Sequence, residues 1–230
     1  MPIGVLTDCL SHLIGGILGG LIGKRLPENL RIELDSVIGT WAIALGIVLI
    51  PRVSIIGVVA ISLAISYVIG YLLKFDARIN SGILFLSRKV FKKNGDFDIE
   101  KLSVLIVLTA FGGSGIVGAM TESLTGDSSI ILARAMIAFV TSILFGASIG
   151  TITAIVALPG FISLMSFYFS AKLIMPLMTD TVYANFTASG GVLTLLSGLK
   201  LLKVSKAKPM NAVLIIFLCI PITKLWELIF

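Results

Sequence analysis

Two ionisable side chains lie close together in the first apolar stretch of the sequence. Asp8 and His12 are four residues apart, so they would share one face of a helix. A carboxylate beside an imidazole favours the protonated ring, and the two groups together could relay a proton. The alternative is that Asp8, which is near the start of the stretch, is simply hydrated.

A second candidate is the glycine-rich sequence at 111–115, which contains Gly113, Ser114 and Gly115. Glycines raise the cost of a regular helix and permit a break. The ends of a broken helix would direct their dipoles and free backbone groups at a ligand. Close crossing by another helix would explain the glycines equally well, and the Ser114 hydroxyl could bind a ligand in either case.

The turn at 125–128 supplies a third group of candidates. Asp127 or Ser128 is a good N-cap for the helix that follows, because either side chain can accept from free backbone N–H groups. Arg134 lies about two turns further along. It could extend to the membrane interface, pair with Asp127 or Asp180, or bind an anion.

The sequence Thr-Ala-Ser-Gly-Gly at 187–191 is the fourth candidate. Its hydroxyls and glycines, Thr187, Ser189, Gly190 and Gly191, introduce a short apolar segment. This pattern predicts a broken helix whose backbone groups stay unpaired unless a cavity or a ligand meets them.

Motifs for enzyme chemistry are missing from the sequence. It has no Walker loop, no G-x-S-x-G elbow and no H-E-x-x-H, and a single histidine excludes a His-rich metal site. We therefore expect no enzyme, no cofactor and no metal site.

The elements that position these residues must lie in lipid. Apolar residues make up 57% of the chain and charged residues only 13%, against about 45–50% and about 25% in soluble domains. The net charge of +6 comes from basic residues in loops between apolar stretches, so it does not indicate a nucleic-acid partner.

A bilayer core takes about 20 helical residues, which predicts an all-α bundle of about eight spans. These are placed at 3–23, 37–50, 55–73, 103–120, 130–150, 151–178, 188–202 and 211–229, with 151–160 as an alternative re-entrant segment.

The loops predict the orientation in the membrane. With eight spans, almost all basic loop residues fall on one side of the plasma membrane. Because basic loops are cytoplasmic, both termini are expected on the opposite, extracytoplasmic side.

The longest loop, 74–102, contains an amphipathic pattern at 79–93. Apolar Ile79, Ile83, Leu86 and Val90 repeat at helical spacing, and the opposite face carries Arg88, Lys89, Lys92 and Lys93. This predicts a short helix on the inner leaflet, with a plain connecting loop as the alternative.

An internal repeat is the strongest signal for function. Gly39 and Gly46 in the second span recur as Gly191 and Gly198 in the seventh, 152 residues later in both cases. The repeat divides a single membrane domain, 1–230, into repeat A at about 1–73, the loop 74–102, central spans at 103–150 and repeat B at about 151–230. Equivalent spans are an odd number apart, so the two repeats would be inverted relative to each other, as in many secondary transporters.

Three short sequences resemble a known family. These are Leu-Pro-Glu-Asn-Leu at 26–30, Leu-Thr-Gly-Asp at 124–127 and Thr-Ala-Ser-Gly-Gly at 187–191. They are similar to the YqgA/YdfK-like family of prokaryotic integral membrane proteins, a domain of unknown function. The resemblance covers the whole chain and implies a plasma-membrane protein with several spans. It supplies no substrate and no site residues.

The sequence therefore predicts a secondary transporter of a small polar solute or ion that works by alternating access. The alternatives are an ion channel and a non-transporting membrane scaffold or assembly protein. The lipid bilayer and the solute are the expected partners, and small-residue stripes in the first span are also compatible with a homodimer.

Overall fold

The fold is described from a computed structural model, which covers residues 1–91 and 97–229; the side chains of residues 90 and 91 are not described. Every regular element in these ranges is helical. The ten α-helices are α1 (Ile3–Gly23), α2 (Glu28–Leu49), α3 (Ile56–Leu72), α4 (Phe75–Phe91), α5 (Ile99–Ala110), α6 (Gly113–Thr125), α7 (Ser129–Ile149), α8 (Ala157–Ile174), α9 (Asp180–Leu201) and α10 (Ile215–Ile229).

Six segments of the described chain are long and apolar enough to cross a membrane. They are Ile3–Gly23, Glu28–Arg52, Ile99–Thr125, Ser129–Ile149, Thr151–Leu177 and Pro209–Ile229. A seventh would be α3 together with α4, which are bent by 58° at the break between them. The protein is thus an all-α membrane bundle with six or seven candidate spans, and α9, although long enough to cross a membrane, is not as apolar as these segments.

The predicted bounds of the second and seventh spans are wrong. Instead of short segments at 37–50 and 188–202, α2 and α9 are both 22 residues long. Their first turns contain polar residues such as Glu28 and Asp180, which lower the local hydropathy without preventing a helix. A helix of this length is about 33 Å long, enough to cross the hydrocarbon core.

Two interruptions divide the middle of the chain. The predicted break in the sequence 111–115 is present, since α5 ends at Ala110 and α6 begins at Gly113. The predicted span at 151–178 does not start as a regular α-helix, because the backbone turns at Gly150, with φ of 102°, and continues as a 3-10 helix before α8. Pro159 lies in the first turn of α8, where its missing N–H would have no helical partner anyway.

The amphipathic sequence at 79–93 forms most of α4, although Lys92 and Lys93 are outside the described residues and the Val90 side chain is not described. The helix is not simply a surface element. Ile83 and Ser87 are buried, and Ile79, Ile83 and Leu86 face an apolar groove that α5 and α8 complete. Phe85, by contrast, is 66% exposed.

Glycines allow the helices around the centre to approach closely. Gly15 of α1 lies against Phe139 and Ser142 of α7, and Gly23 lies against Ala147, so these two helices run parallel. Gly39 of α2 meets Gly198 of α9. The segment formed by α5 and α6 is the most buried of the candidate spans, at 78%, and occupies the middle of the bundle.

Candidate functional site

A buried ion pair joins α1 to α7. The Arg134 Nη1 donates to Asp8 Oδ2 over 2.6 Å, while the Asp8 side chain is 1% exposed and that of Arg134 11%. Opposite charges removed from water cost free energy unless they are paired with good geometry. This pairing was not among the partners proposed for Arg134 from the sequence, because Asp8 and Arg134 are far apart in the chain.

The second terminal nitrogen of the Arg134 guanidinium binds the end of α5, next to the break between α5 and α6. Arg134 Nη2 donates to the carbonyl oxygen of Thr109 over 2.6 Å, and the Ser163 hydroxyl donates to that of Ala110 over 2.6 Å. The break between α5 and α6 frees both carbonyls from their usual helical partners. The protein itself therefore satisfies two of the backbone groups that the sequence assigned to a ligand.

Gly115 makes room for the guanidinium. A Cβ atom built on Gly115 would lie 2.7 Å from Arg134 Cζ and 2.8 Å from Nε, which is much closer than two unbonded atoms can pack. The absence of a side chain at this position lets Arg134 lie directly against the first turn of α6. The guanidinium consequently occupies the space between the end of α5 and the start of α6.

His12 extends the site by one turn of α1. Its Nδ1 lies 2.7 Å from the hydroxyl oxygen of Ser142 on α7, and the imidazole tautomer decides which of the two atoms donates. Its Nε2 is 3.9 Å from Asp8 Oδ2, too far for a hydrogen bond. The predicted proximity of Asp8 and His12 is present, but Arg134 rather than His12 is the direct partner of the carboxylate.

Three buried polar atoms at this site are unsatisfied. Asp8 Oδ1, His12 Nε2 and Thr109 Oγ1 have no hydrogen-bond partner within the described chain, and these residues are 1%, 3% and 1% exposed. A buried polar group without a partner costs about 1–3 kcal/mol, and more if it is charged. These three residues lie around one ion pair, so the site retains polar groups that could still donate to and accept from a small ligand.

Asp127 takes no part in this site. It is exposed, and its carboxylate accepts from the backbone N–H of Ser129 over 2.9 Å and from the Ser129 hydroxyl. These hydrogen bonds lower the pKa of Asp127. Asp127 thus acts locally at the start of α7, as the N-cap interpretation predicted, although the cap position itself is Ser128.

The predicted break at 187–191 is wrong, because α9 continues without interruption through this sequence. Gly191 instead packs against Leu49 and Ile50 at the end of α2, and Gly190 lies beside Gly113 at the start of α6. These glycines therefore serve helix crossings. Ser189 is fully buried, Thr187 is half-buried, and Ser114 is exposed, so neither Ser114 nor the 187–191 sequence is shown to join the Asp8–Arg134 pair.

Glu122 is a buried residue that the sequence interpretation missed. Its carboxylate accepts from the backbone N–H groups of Gly4, over 2.6 Å, and Val5, over 3.2 Å, and from the Ser128 hydroxyl. It thereby caps the N-terminus of α1, where a negative charge is favoured by the helix dipole. The available signal was a lone carboxylate in an otherwise small and apolar stretch.

A polar cluster lies at the opposite end of α1 and α7. Asp35 of α2 accepts from Lys101 Nζ and from the Ser148 hydroxyl, each over 2.5 Å, so it connects three helices. These side chains line a recess of about 390 Å³ together with Glu28 and Arg31. Outside the six candidate spans, Asp76 accepts from Lys208 over 2.6 Å and raises the pKa of that lysine.

The comparisons with known proteins identify a family. Residues 3–224 match the family described as a protein of unknown function, DUF554. The chain belongs to this family. It is 31% identical over 232 residues to the uncharacterized protein YqgA of Escherichia coli (strain K12), with 98% of both chains covered. It is 29% identical over 212 residues to the uncharacterized membrane protein YdfK of Bacillus subtilis (strain 168), with 90% of both covered. These matches confirm the resemblance found in the sequence, and no solved structure matches the chain significantly.

Proposed function

We propose that the protein is a secondary transporter that carries a small polar solute or ion across the plasma membrane by alternating access. The observation that carries this proposal is the buried Asp8–Arg134 pair with unsatisfied polar atoms around it. Ionisable groups deep in a membrane protein are costly, and they commonly mark substrate or ion pathways. The broken span formed by α5 and α6 contributes to the same site, as broken helices do in many carriers.

The proposal includes an inverted repeat, which the positions and contacts of α2 and α9 support. Both ends of α9 lie 152 residues after the corresponding ends of α2, and the two helices cross at their glycines. A Cβ built on Gly198 would be 2.7 Å from the Gly39 carbonyl oxygen, and one built on Gly46 would be 2.8 Å from that of Gly191. Gly39 thus meets Gly198, which is the counterpart of Gly46, and Gly46 meets Gly191, which is the counterpart of Gly39. Reciprocal contacts of this kind are expected when two copies are related by a two-fold axis.

The relative directions of the packed helices agree with eight crossings. In that topology, the helices α1 and α7 are parallel and α2 is antiparallel to α9, as their glycine contacts require. The α9 helix packs along α2, which is itself a candidate span, so α9 would cross the same layer despite its lower hydropathy. Both termini would then lie outside the cytoplasm, with the basic loops inside.

In the mechanism that we propose, the site lies between two closures, which are sets of contacts that block access from one side of the membrane each. Glu122 and Ser128 would hold α1 at the extracytoplasmic side, and the cluster of Asp35, Lys101 and Ser148 would join α2, α5 and α7 at the cytoplasmic side. Rocking of one repeat against the other would open these closures in turn around Arg134. A site buried on both sides fits a carrier better than an ion channel, which needs a continuous path.

Uptake into liposomes tests the proposal. The purified protein would be reconstituted and assayed for uptake of labelled small organic acids, amino acids and inorganic ions. Saturable uptake that is lost in Arg134→Gln and kept in Asp127→Asn supports a carrier, because Asp127 is an exposed carboxylate outside the site. Uptake that does not saturate indicates a channel. No uptake of any solute, with a fixed partner that co-purifies, indicates a scaffold.

A further inference from the structure

We infer that this site takes up a small monovalent anion together with a proton, with Arg134 as the anion-binding group and Asp8 as the proton-binding group. The role of this binding in transport rests on the proposed function, whereas the binding of the anion and the proton does not depend on it. The inference names a ligand class and a coupling ion for the site formed by Asp8, His12, Thr109 and Arg134.

The charged groups around the Asp8–Arg134 pair are the first observation behind this inference. Arg134 is the cation at the site and Asp8 its counter-ion. Of the other titratable groups near this part of α1, Glu122 is committed to the first N–H groups of α1, and His12 is bound to Ser142. The remaining group is the Cys9 thiol, which points to the Ala157 carbonyl. Residues 151–156 have no titratable side chain, and the titratable groups of α8, Tyr168 and Lys172, lie more than two turns beyond Gly160.

Asp8 is therefore what balances the buried guanidinium. Its Oδ1 is unpartnered while its Oδ2 accepts from Arg134, so a proton can add to Oδ1 without first breaking the ion pair. Protonation makes Asp8 neutral and leaves a buried cation without a counter-ion, which is strongly unfavourable. One monovalent anion on Arg134 restores neutrality. A proton and an anion thus enter together, and the net charge of the site stays the same.

The donors at the site fit a small oxyanion. The guanidinium presents several N–H groups in a planar fork that matches a carboxylate. The unpartnered Thr109 hydroxyl lies on the residue whose carbonyl binds Arg134, and it can donate to the same ligand. The adjacent N-terminus of α6 adds a positive dipole beside the guanidinium. Burial of the surrounding residues restricts the ligand to a few atoms.

Anion binding to the full-length protein in detergent tests this inference. Calorimetric titrations would use nitrate, lactate and pyruvate at about pH 5.5 and about pH 8, values on either side of the neutral range in which a buried carboxyl group can titrate. The ionic strength would be held constant with gluconate. We expect at least one probe to bind about tenfold more tightly or better at the lower pH, because each bound anion brings one proton.

Four variants separate the roles of the two residues. Asp8→Asn imitates the protonated acid, so it should bind the same probe with equal affinity at both pH values. Arg134→Gln should not bind. Arg134→Lys, which keeps the charge, should fold and bind at least about tenfold more weakly, since it lacks the planar fork. Asp127→Asn is the matched control and should behave as the wild type does.

Three results would overturn the inference: no binding of any probe, binding that is independent of pH in the wild type, or pH dependence that survives in Asp8→Asn. None of these results bears on the saturable uptake that tests the transporter proposal. A carrier that moves a solute without proton-linked anion binding would show that only the inference is wrong.

Discussion

The fit of Arg134 against Gly115 makes an alanine at this position a sharp perturbation. Gly113 is the matched control, because it lies two residues away in the first turn of α6. A Cβ atom at 113 would have its nearest neighbour at 3.8 Å, whereas one at 115 would lie 2.7 Å from Arg134 Cζ. Helix propensity alone predicts that both substitutions stabilise the protein, by up to about 1 kcal/mol.

The geometry predicts opposite signs for the two variants. Carbon atoms pack at about 3.5–4.0 Å, so Gly115→Ala would displace the guanidinium by roughly 1 Å. The 2.6 Å hydrogen bond from Arg134 to Asp8 would then lengthen to about 3.5 Å. Loss of a charged hydrogen bond costs about 1.5–3 kcal/mol, and loss of a whole buried ion pair about 3–5 kcal/mol. After the gain in propensity, Gly115→Ala should destabilise by about 0.5–4 kcal/mol.

Reversible unfolding in mixed micelles with increasing SDS measures this difference. We expect Gly113→Ala to unfold with a free energy equal to or above that of the wild type, and Gly115→Ala below it. In an Arg134→Gln background the cost of Gly115→Ala should disappear, because no guanidinium remains to be displaced. If Gly115→Ala is as stable as Gly113→Ala, the packing argument is wrong.

Three further predictions concern other parts of the fold. Glu122→Gln should lower the free energy of unfolding by about 1–2 kcal/mol, as the loss of a helix cap does; an unchanged value would exclude the capping role. Gly198→Ala should destabilise by about 1–3 kcal/mol through overpacking, whereas Gly57→Ala, with no atom within 4 Å of its Cβ, should not. The hydrogen bonds from Ser129 lower the pKa of Asp127. They therefore stabilise the folded protein at a pH above the pKa that Asp127 has in the unfolded chain, and this contribution is lost as the pH falls through the folded pKa. Carboxylate NMR should record a higher pKa for Asp127 in Ser129→Ala.

Much of the architecture was predictable because hydropathy and glycine content are local properties of the sequence. They located the apolar segments and the break between α5 and α6. The bounds of α2 and α9 were not predictable in this way, since their polar first turns hide helices that neighbouring helices and ion pairs support. The glycines at 190 and 191 were misinterpreted for a related reason. A glycine that breaks a helix and one that lets another helix approach are identical in sequence.

The candidate site was only partly predictable. Asp8, His12, Gly115 and Arg134 were each recognised as unusual residues in an apolar chain. Their arrangement depends on contacts between residues more than a hundred positions apart, such as Asp8 with Arg134, and a single sequence gives no signal for such pairs. Thr109 was missed because it acts through its backbone carbonyl, which any residue could supply.

The account depends most on a buried site that opens to each side of the membrane in turn. A single cysteine at Thr109→Cys, in a chain with Cys9 and Cys219 replaced by alanine, reports this directly, because Thr109 is 1% exposed in this conformation. A charged thiol reagent would be added to right-side-out and to inside-out membrane vesicles. We predict labelling in both orientations. Labelling from one side only, or from neither, would contradict alternating access.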